Sequence, residues 1–208
     1  MKGFLVLGLL IMAMPAFAHH PGDRLDEVMA EKEPAFEPTD IRSMPNLALT
    51  NEQGAKFTLR ELRESIIVLS FVPRDCGAPC AAQQGILVSV QGQVNITPMK
   101  QMVTFLTVRD RKTSNGAHWD DANWRSAAPQ DETVAESARR FAALSDRSPS
   151  SPLIHVVDRG SRHAGLFHAT RFQQINLVLY INGLTNAPPV PGNSESDSWW
   201  DSVMGLFK

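Results

Sequence analysis

Two cysteines, Cys76 and Cys80, stand four positions apart, and the chain has no others. On a helix, residues at this spacing lie on one face with about 5–6 Å between their Cβ atoms, so both sulfurs can reach one point. The pair can oxidise to a disulfide, or bind a soft ion such as Cu(I) or Zn as thiolates. A purely structural disulfide is the weaker interpretation, because so short a ring restrains the unfolded chain little.

The residues around the pair predict how it is positioned. The preceding run IIVLSFV is typical of a strand buried on both faces, and Pro79 suits the first turn of a helix. A strand that ends at Val72 and a helix that begins near Cys76 would leave free N–H groups and the positive end of a helix dipole beside the thiols. Such surroundings lower the pKa of a cysteine and favour the reactive, metal-binding thiolate.

The rest of residues 47–185 is predicted to form one α/β domain. The apolar runs and turn signals predict a short strand pair, a small helix and then alternating strands and helices. The later segments are a helix after the cysteines, a strand in MVTFLTVR, a polar loop, a helix in ETVAESARRFAALSD, and strands in PLIHVVD and INLVLYING, the last with a turn at Asn182-Gly183. This order resembles a thioredoxin-like mixed sheet flanked by helices, with the cysteines at a strand-to-helix junction.

The ends of the chain have a different composition. Residues 1–18 have Lys2, an apolar run and an Ala16-Phe17-Ala18 site, the pattern of a cleavable signal peptide. The run is shorter than the roughly 20 apolar residues of a membrane span. Export would place the protein in the periplasm, where disulfides persist.

Two polar segments flank the predicted domain. Residues 19–46 are polar and proline-containing and are predicted to be a flexible N-terminal arm. Residues 186–208 are predicted to be a linker followed by an amphipathic tail with Trp199 and Trp200, suited to a surface or dimer contact. The formal net charge is −2 with interspersed signs, which argues against a nucleic-acid partner.

The stretch from Gly54 to Leu87 resembles the Sco/SenC family of copper chaperones. It reads G-x-x-F-T-L-x-E-L-R followed by V-L-S-F-V-P-R-D-C-G-A-P-C, where the family has a strand ending in F-x-x-T-x-C-x-x-x-C-P. The segment MVTFLTVRDRKT and the later histidines extend the resemblance over roughly residues 45–185. The chain departs from the family at Arg74 or Asp75, where the family has threonine, and at Ala81, where it has proline. Its segment VRDRKT keeps only fragments of the family's D-P-x-R-D-T motif.

The resemblance implies copper bound by Cys76, Cys80 and a histidine ahead of a late strand. His163 and His168 both lie in that segment, and His168, followed by a small residue, is the better match. The implied function is a periplasmic copper chaperone for the maturation of cytochrome oxidase or another cuproenzyme.

The other histidines have weaker claims. His155 is expected in a strand, facing outward or hydrogen-bonded, and His118 in a surface loop. His19 and His20 would follow the signal cleavage site, where an α-amine beside two imidazoles binds Cu(II) readily; the alternative is two solvated side chains.

Two rival functions remain open. In a thiol-disulfide oxidoreductase of the same fold, Cys76 would attack and Cys80 would resolve a mixed disulfide with a partner protein. In a binding module, the cysteines would be vestigial and the Trp199-Trp200 tail would contact the partner. Metal content after purification under reducing conditions separates the chaperone from both.

The signal sequence predicts that the exported protein begins at His19, directly after the small-x-small site. N-terminal sequencing of exported material checks this, and a chain that still begins at Met1 would contradict it.

Overall fold

The computed structural model describes residues 24–41, 44–110, 122–149 and 152–187. Within these ranges the chain forms four α-helices and eight strands. In chain order they are α1 (Leu25–Lys32), β1 (Phe36–Ile41), β2 (Ala48–Asn51), β3 (Lys56–Thr58), β4 (Ile66–Val72), α2 (Ala78–Asn95), β5 (Val103–Arg109), β6 (Trp124–Pro129), α3 (Val134–Ala142), β7 (Leu153–Val157), β8 (His163–His168) and α4 (Gln174–Asn186). No helix in these ranges is long and apolar enough to cross a membrane.

The described strands form one mixed sheet in the order β1-β8-β7-β4-β5-β6-β2-β3. Strand β4 pairs in parallel with β5 and antiparallel with β7, and β8 continues the antiparallel side to β1. The predicted α/β class, with both kinds of pairing, is confirmed.

Hydrophobic residues cover both faces of the sheet. On one face, Ile66 and Val68 of β4 join a core with residues of α2 and α4, and on the other, Ile67, Leu69 and Phe71 join a core with α3. All seven residues of β4 are buried. The apolar run before the cysteines is therefore the doubly buried strand that its sequence predicts.

The prediction that residues 19–46 form a flexible arm is wrong for most of that segment, because α1 and β1 belong to the domain. Phe36 is 0% exposed, and its ring lies 5.1 Å from that of Phe167 and 4.5 Å from that of Tyr180, between centroids. Met29 of α1 joins the same core. The prolines and charges of this segment obscured the few apolar residues that attach it to the sheet.

The predicted last strand and its hairpin turn are also wrong. The segment INLVLYING lies within helix α4, and Leu177, Val178, Tyr180 and Ile181 pack into the core shared with α2. Gly183 stands inside this helix rather than in a turn, and a Cβ there would collide with the Leu25 side chain of α1. Any larger residue at this position would force the Leu25 side chain to shift, because the two helices approach closely here.

The hairpin lies one element earlier, between β7 and β8. Its turn contains Gly160 and Ser161, both with positive φ, at 81° and 70°. Strands β8 and β6 fall where the sequence predicts loops. Both are short and contain polar residues, and Trp124 of β6 stacks on Phe105 at 5.2 Å between ring centroids.

An ionic cluster around the buried Arg162 side chain links the N-terminal elements to this hairpin. The Arg162 guanidinium lies 3.3 Å from Asp26 of α1, 3.2 Å from Asp40 of β1 and 3.4 Å from Asp158 of the turn. The Tyr180 hydroxyl of α4 donates to Asp26 at 2.6 Å. Removing Arg162 would leave the buried Asp158 carboxylate without its cationic partner, which is costly.

The packing of β1 predicts that Phe36→Ala lowers the free energy of unfolding by about 3–5 kcal/mol, since it empties a buried aromatic site. Val28→Ala, on α1 at a residue 49% exposed, is the matched control and should change stability by less than about 0.5 kcal/mol. Chemical denaturation measures both, and equal stabilities would mean that the segment does not pack on the domain.

Candidate redox and metal site

The two cysteines form a disulfide at the junction of β4 and α2, with Cα atoms 5.7 Å apart. Helix α2 begins at Ala78, so Cys80 lies in its first turn with Pro79, whereas Cys76 lies just before the cap residue Gly77. Gly77 has φ 61° and ψ −136°, a conformation open mainly to glycine. The predicted strand-to-helix placement is confirmed, with the helix starting two residues after Cys76.

The two sulfurs have different surroundings. Cys80 is 2% exposed, and its Sγ lies 3.7 Å from the carbonyl oxygen of Phe71, whereas Cys76 is only half-buried among exposed neighbours. An incoming thiolate can therefore reach the Cys76 sulfur more easily. The N-terminus of α2 lies beside both and favours negative charge there.

A buried polar layer holds α2 one turn beyond Cys80. The Gln84 amide donates to Ser70 of β4 at 3.1 Å and accepts from the Thr107 hydroxyl of β5 at 3.0 Å. The indole N–H of Trp124 donates to Thr107 at 3.0 Å. This network fixes the helix that carries the cysteines against three strands. The signal for it was the presence of hydroxyl residues inside two apolar runs, Ser70 in β4 and Thr104 and Thr107 in β5.

His168 is the last residue of β8 rather than a loop residue. It pairs with Leu153 at the start of β7, and β7 pairs with the carboxyl half of β4 through Ile154 and Ser70. His168 therefore lies at the same end of the sheet as the disulfide, two strands away. His168 does not meet the cysteines in the disulfide form. Within the described ranges no three or more His, Cys, Asp or Glu side chains are placed to hold a metal ion.

The ring of His168 is bound to Glu37 of β1, with 2.6 Å between Nε2 and Oε2. Glu37 also accepts a hydrogen bond from the Ser145 hydroxyl at 2.6 Å and from the Asp146 backbone N–H at 2.7 Å. Burial would raise the pKa of Glu37, but the hydrogen bonds from Ser145, His168 and Asp146 outweigh it and lower the pKa. Ala169, directly after His168, has φ 56°, an uncommon conformation for alanine.

The other two described histidines, His155 of β7 and His163 at the first position of β8, are linked by buried hydrogen bonds. His155 Nδ1 lies 3.0 Å from His163 Nε2, and His163 Nδ1 lies 2.7 Å from the Thr39 hydroxyl, which donates to the His163 carbonyl at 2.8 Å. Of the two placements predicted for His155, the hydrogen-bonded one is confirmed and the outward-facing one is wrong. Both ring nitrogens of His163 are engaged in these hydrogen bonds, and His163 lies at the other end of β8 from His168.

Burial keeps both of these rings neutral. It lowers the pKa of His155 well below 6.5, and the nearby His163 and His168 lower it further. Burial also lowers the pKa of His163 to about 4, with Glu37 opposing and Arg162 assisting the shift.

A shallow groove runs beside the disulfide on the α3 side of the sheet. Its lining is mainly apolar, with one acidic, one basic and one imidazole side chain. The lining residues are Phe71, Pro73, Asp75, Ala135, Ala138, Arg139, Ala142, Pro149, Pro152, Leu153 and His155. The groove includes Asp75 and so lies next to the half-buried Cys76.

Comparison with known proteins identifies the fold. No family model matches the chain, and no curated protein matches its sequence. Among solved structures, BsSco, described as a member of the Sco family of cytochrome c oxidase assembly proteins with a disulfide switch, aligns with a TM-score of 0.57 at 9% identity, covering 73% of this chain and 98% of that one. The chain has the thioredoxin-like fold of the Sco structures.

Two further Sco structures align over a similar extent. A SCO1/SenC family lipoprotein from Bacillus anthracis gives a TM-score of 0.55 at 12% identity, over 72% of this chain and 98% of its own. Yeast Sco1 with copper bound gives 0.55 at 13% identity, over 76% and 98%. At identities this low, the structural similarity establishes the fold alone. The chemistry that this protein can perform depends on its own residues.

Several predicted features fall outside the described residues. These are the signal peptide of residues 1–18, His19, His20, His118, and the tail with Trp199 and Trp200. They remain sequence-based predictions.

The buried histidines predict an acid-sensitive fold. A histidine whose pKa falls from 6.5 to about 4 on folding is neutral in the folded state, whereas the unfolded chain binds a proton below 6.5. Stability is thus lost as the pH falls through this window, and at about pH 5 His163 alone should account for about 2 kcal/mol. Urea unfolding between about pH 7.5 and 5 measures the loss, and His163→Gln should remove a large part of the slope; an unchanged slope would contradict this origin.

Proposed function

We propose that this protein is a periplasmic copper-binding chaperone that takes up Cu(I) through Cys76, Cys80 and His168. It would deliver the ion during maturation of cytochrome oxidase or another cuproenzyme. The observation that carries the proposal is the position of the Cys76–Cys80 pair, at the junction of β4 and α2 in a Sco-type fold. In this role copper is cargo rather than a resident cofactor.

The described residues fit a soft ion in their chemistry. Two sulfurs whose Cα atoms are 5.7 Å apart can bind one ion as thiolates, and thiolate and imidazole ligands suit copper. His168 lies at the same end of the sheet with its Nε2 engaged by Glu37, which leaves Nδ1 for another partner. The third ligand has to approach the cysteines after they are reduced, because the disulfide form does not bring the three together.

Uptake of copper would begin with reduction of the disulfide. A thiolate of a reduced dithiol partner attacks the Cys76 sulfur, the bond between the two cysteines breaks, and Cys80 leaves as a thiolate that then gains a proton. The second partner thiol attacks the mixed disulfide and releases Cys76, so the partner is oxidised and the pair reduced. Binding of Cu(I) then displaces the thiol protons.

A thiol-disulfide oxidoreductase is the second candidate, and the asymmetry of the sulfurs favours it. Cys76 is half-buried beside an apolar groove and is the accessible sulfur, whereas Cys80 is 2% exposed and placed to resolve. In this function the same exchange would be turned over on a partner's cysteines without copper. Cys80→Ser would then accumulate a mixed disulfide with the partner.

The predicted location and contacts complete the proposal. Residues 1–18 as a signal peptide would place the chain in the periplasm, and a Sco-fold lipoprotein among the similar structures supports a site outside the cytoplasm. The partner is a cuproenzyme or a thiol protein, and the description of BsSco as an oxidase assembly protein supports the first. The C-terminal segment 186–208 would supply a surface or dimer contact.

The copper function predicts that the reduced protein binds one Cu(I) and that the disulfide form binds none at this site, since a disulfide has no thiolate to offer. His168→Ala should weaken Cu(I) binding by about tenfold or more. His163→Gln, which changes a buried histidine at the other end of β8, should leave the binding nearly unchanged. Competition with a chromophoric Cu(I) chelator measures all four, with circular dichroism confirming that each variant is folded.

The opposite result would decide against this copper site. Full affinity in both histidine variants would remove histidine from the ligand set. No binding by the reduced wild-type protein, together with turnover of a disulfide substrate, would favour the oxidoreductase.

A further inference from the structure

Glu37 and His168 form an almost buried pair between neighbouring strands β1 and β8. Their side chains are separated by 131 positions in sequence and meet with 2.6 Å between Glu37 Oε2 and His168 Nε2. Neither residue is explained by the disulfide chemistry alone. A carboxylate at this distance determines which nitrogen of the imidazole carries hydrogen.

The other contacts of Glu37 show that its carboxylate acts as an acceptor. The backbone N–H of Asp146 donates to Oε1 at 2.7 Å, and the Ser145 hydroxyl lies 2.6 Å from Oε2. Ser145 Oγ accepts from the Arg147 N–H at 3.1 Å and has one hydrogen to give. The Arg147 carbonyl, at 3.1 Å, is the more distant acceptor for that hydrogen, so the hydroxyl donates to Glu37.

Since Oε2 accepts, His168 Nε2 must be the atom that carries hydrogen. A neutral imidazole has one N–H, so Nδ1 is left with its lone pair. We propose that Glu37 is the positioning residue of His168: it holds the ring in the Nε2–H tautomer and so reserves Nδ1 as the atom that binds the soft metal ion. This inference rests on the proposed ligand role of His168.

The attachment of β1 to the sheet gives Glu37 a fixed position. Phe36, its neighbour, is 0% exposed in the core, and Glu37 itself pairs with Leu166 of β8. A metal-ligating histidine usually donates its second N–H to a carboxylate or carbonyl, which fixes the ring and raises its basicity. The N-terminal segment would thus be part of the metal site, although it lies far from the cysteines in sequence.

Replacement by glutamine gives a specific expectation. In Glu37→Gln the amide oxygen should stay at the Oε1 position, because the Asp146 N–H can only donate. The NH₂ group then faces His168 and Ser145. Since an NH₂ group donates, His168 Nε2 should become the acceptor and the hydrogen should move to Nδ1, which removes the lone pair from that atom.

The test is long-range ¹H–¹⁵N NMR of the reduced, metal-free protein with labelled histidines, recorded from about pH 6 to 9 to include the neutral ring. Wild-type His168 should be the Nε2–H tautomer and Glu37→Gln the Nδ1–H tautomer. The control, Ser145→Ala, removes one donor to Oε2 but keeps the carboxylate, so it should retain Nε2–H. A wild-type Nδ1–H tautomer, a ring protonated on both nitrogens throughout, or an unchanged tautomer in Glu37→Gln would overturn the positioning role.

Cu(I) affinity of the same proteins gives the second readout. Glu37→Gln should weaken binding by about 10–100-fold, with Ser145→Ala close to wild type. If His168→Ala does not weaken binding, the ligand role fails and the metal part of this inference fails with it, whatever the tautomer. If His168→Ala weakens binding but Glu37→Gln does not, the ligand role stands and the positioning role of Glu37 is overturned.

Discussion

The complete burial of β4 is the constraint on which the site depends. The strand packs one set of side chains against α2 and the alternate set against α3, and it is paired on both edges by β5 and β7. A strand so placed cannot shift its register without moving apolar residues from one core to the other. Its end at Val72 is therefore fixed, and so is the point where the chain turns into α2 and brings Cys76 and Cys80 together.

The antiparallel half of the sheet transmits this constraint to the histidines. Because β7 is registered on β4 and β8 on β7, His168 must lie at the cysteine end and His163 at the other end. Strand β1 then pairs with β8 and supplies Glu37. One continuous set of strand pairings thus connects the N-terminal segment, the candidate ligand and the disulfide.

The parts that were predictable from sequence are those with local signals. The apolar run of β4, Pro79 in the first turn of α2 and the cysteine spacing each specify their own structure, so the junction was placed correctly. Helix α4 was mistaken for a strand because a short apolar run fits either element, and the Asn182-Gly183 pair added a false turn signal. Strand β1 was missed because its proline and charges lie on an edge, where a strand tolerates them.

The contacts that complete the site could not be found in this way. Glu37 meets His168 only because β1 and β8 pair, and His155 meets His163 only because β7 and β8 do. Hydrophobic periodicity shows which residues are buried, but it does not show which distant strands are neighbours. Glu37 lies between Phe36 and Pro38 in a segment rich in prolines and charges, and it has no local signal that distinguishes it from a solvated glutamate.

The redox state of the cysteines decides which chemistry the site can perform. In the disulfide, both sulfurs are bonded to each other and Cys80 is enclosed, so the pair can accept electrons but cannot hold an ion. Reduction frees two thiolates at the positive end of α2, where their charge is stabilised. The contact between Glu37 and His168 does not depend on that bond, since it is made by β1, β8 and the residues after α3. The ring can therefore be oriented before the thiolates exist, and reduction would then supply the thiolates that both metal binding and attack on a partner disulfide require.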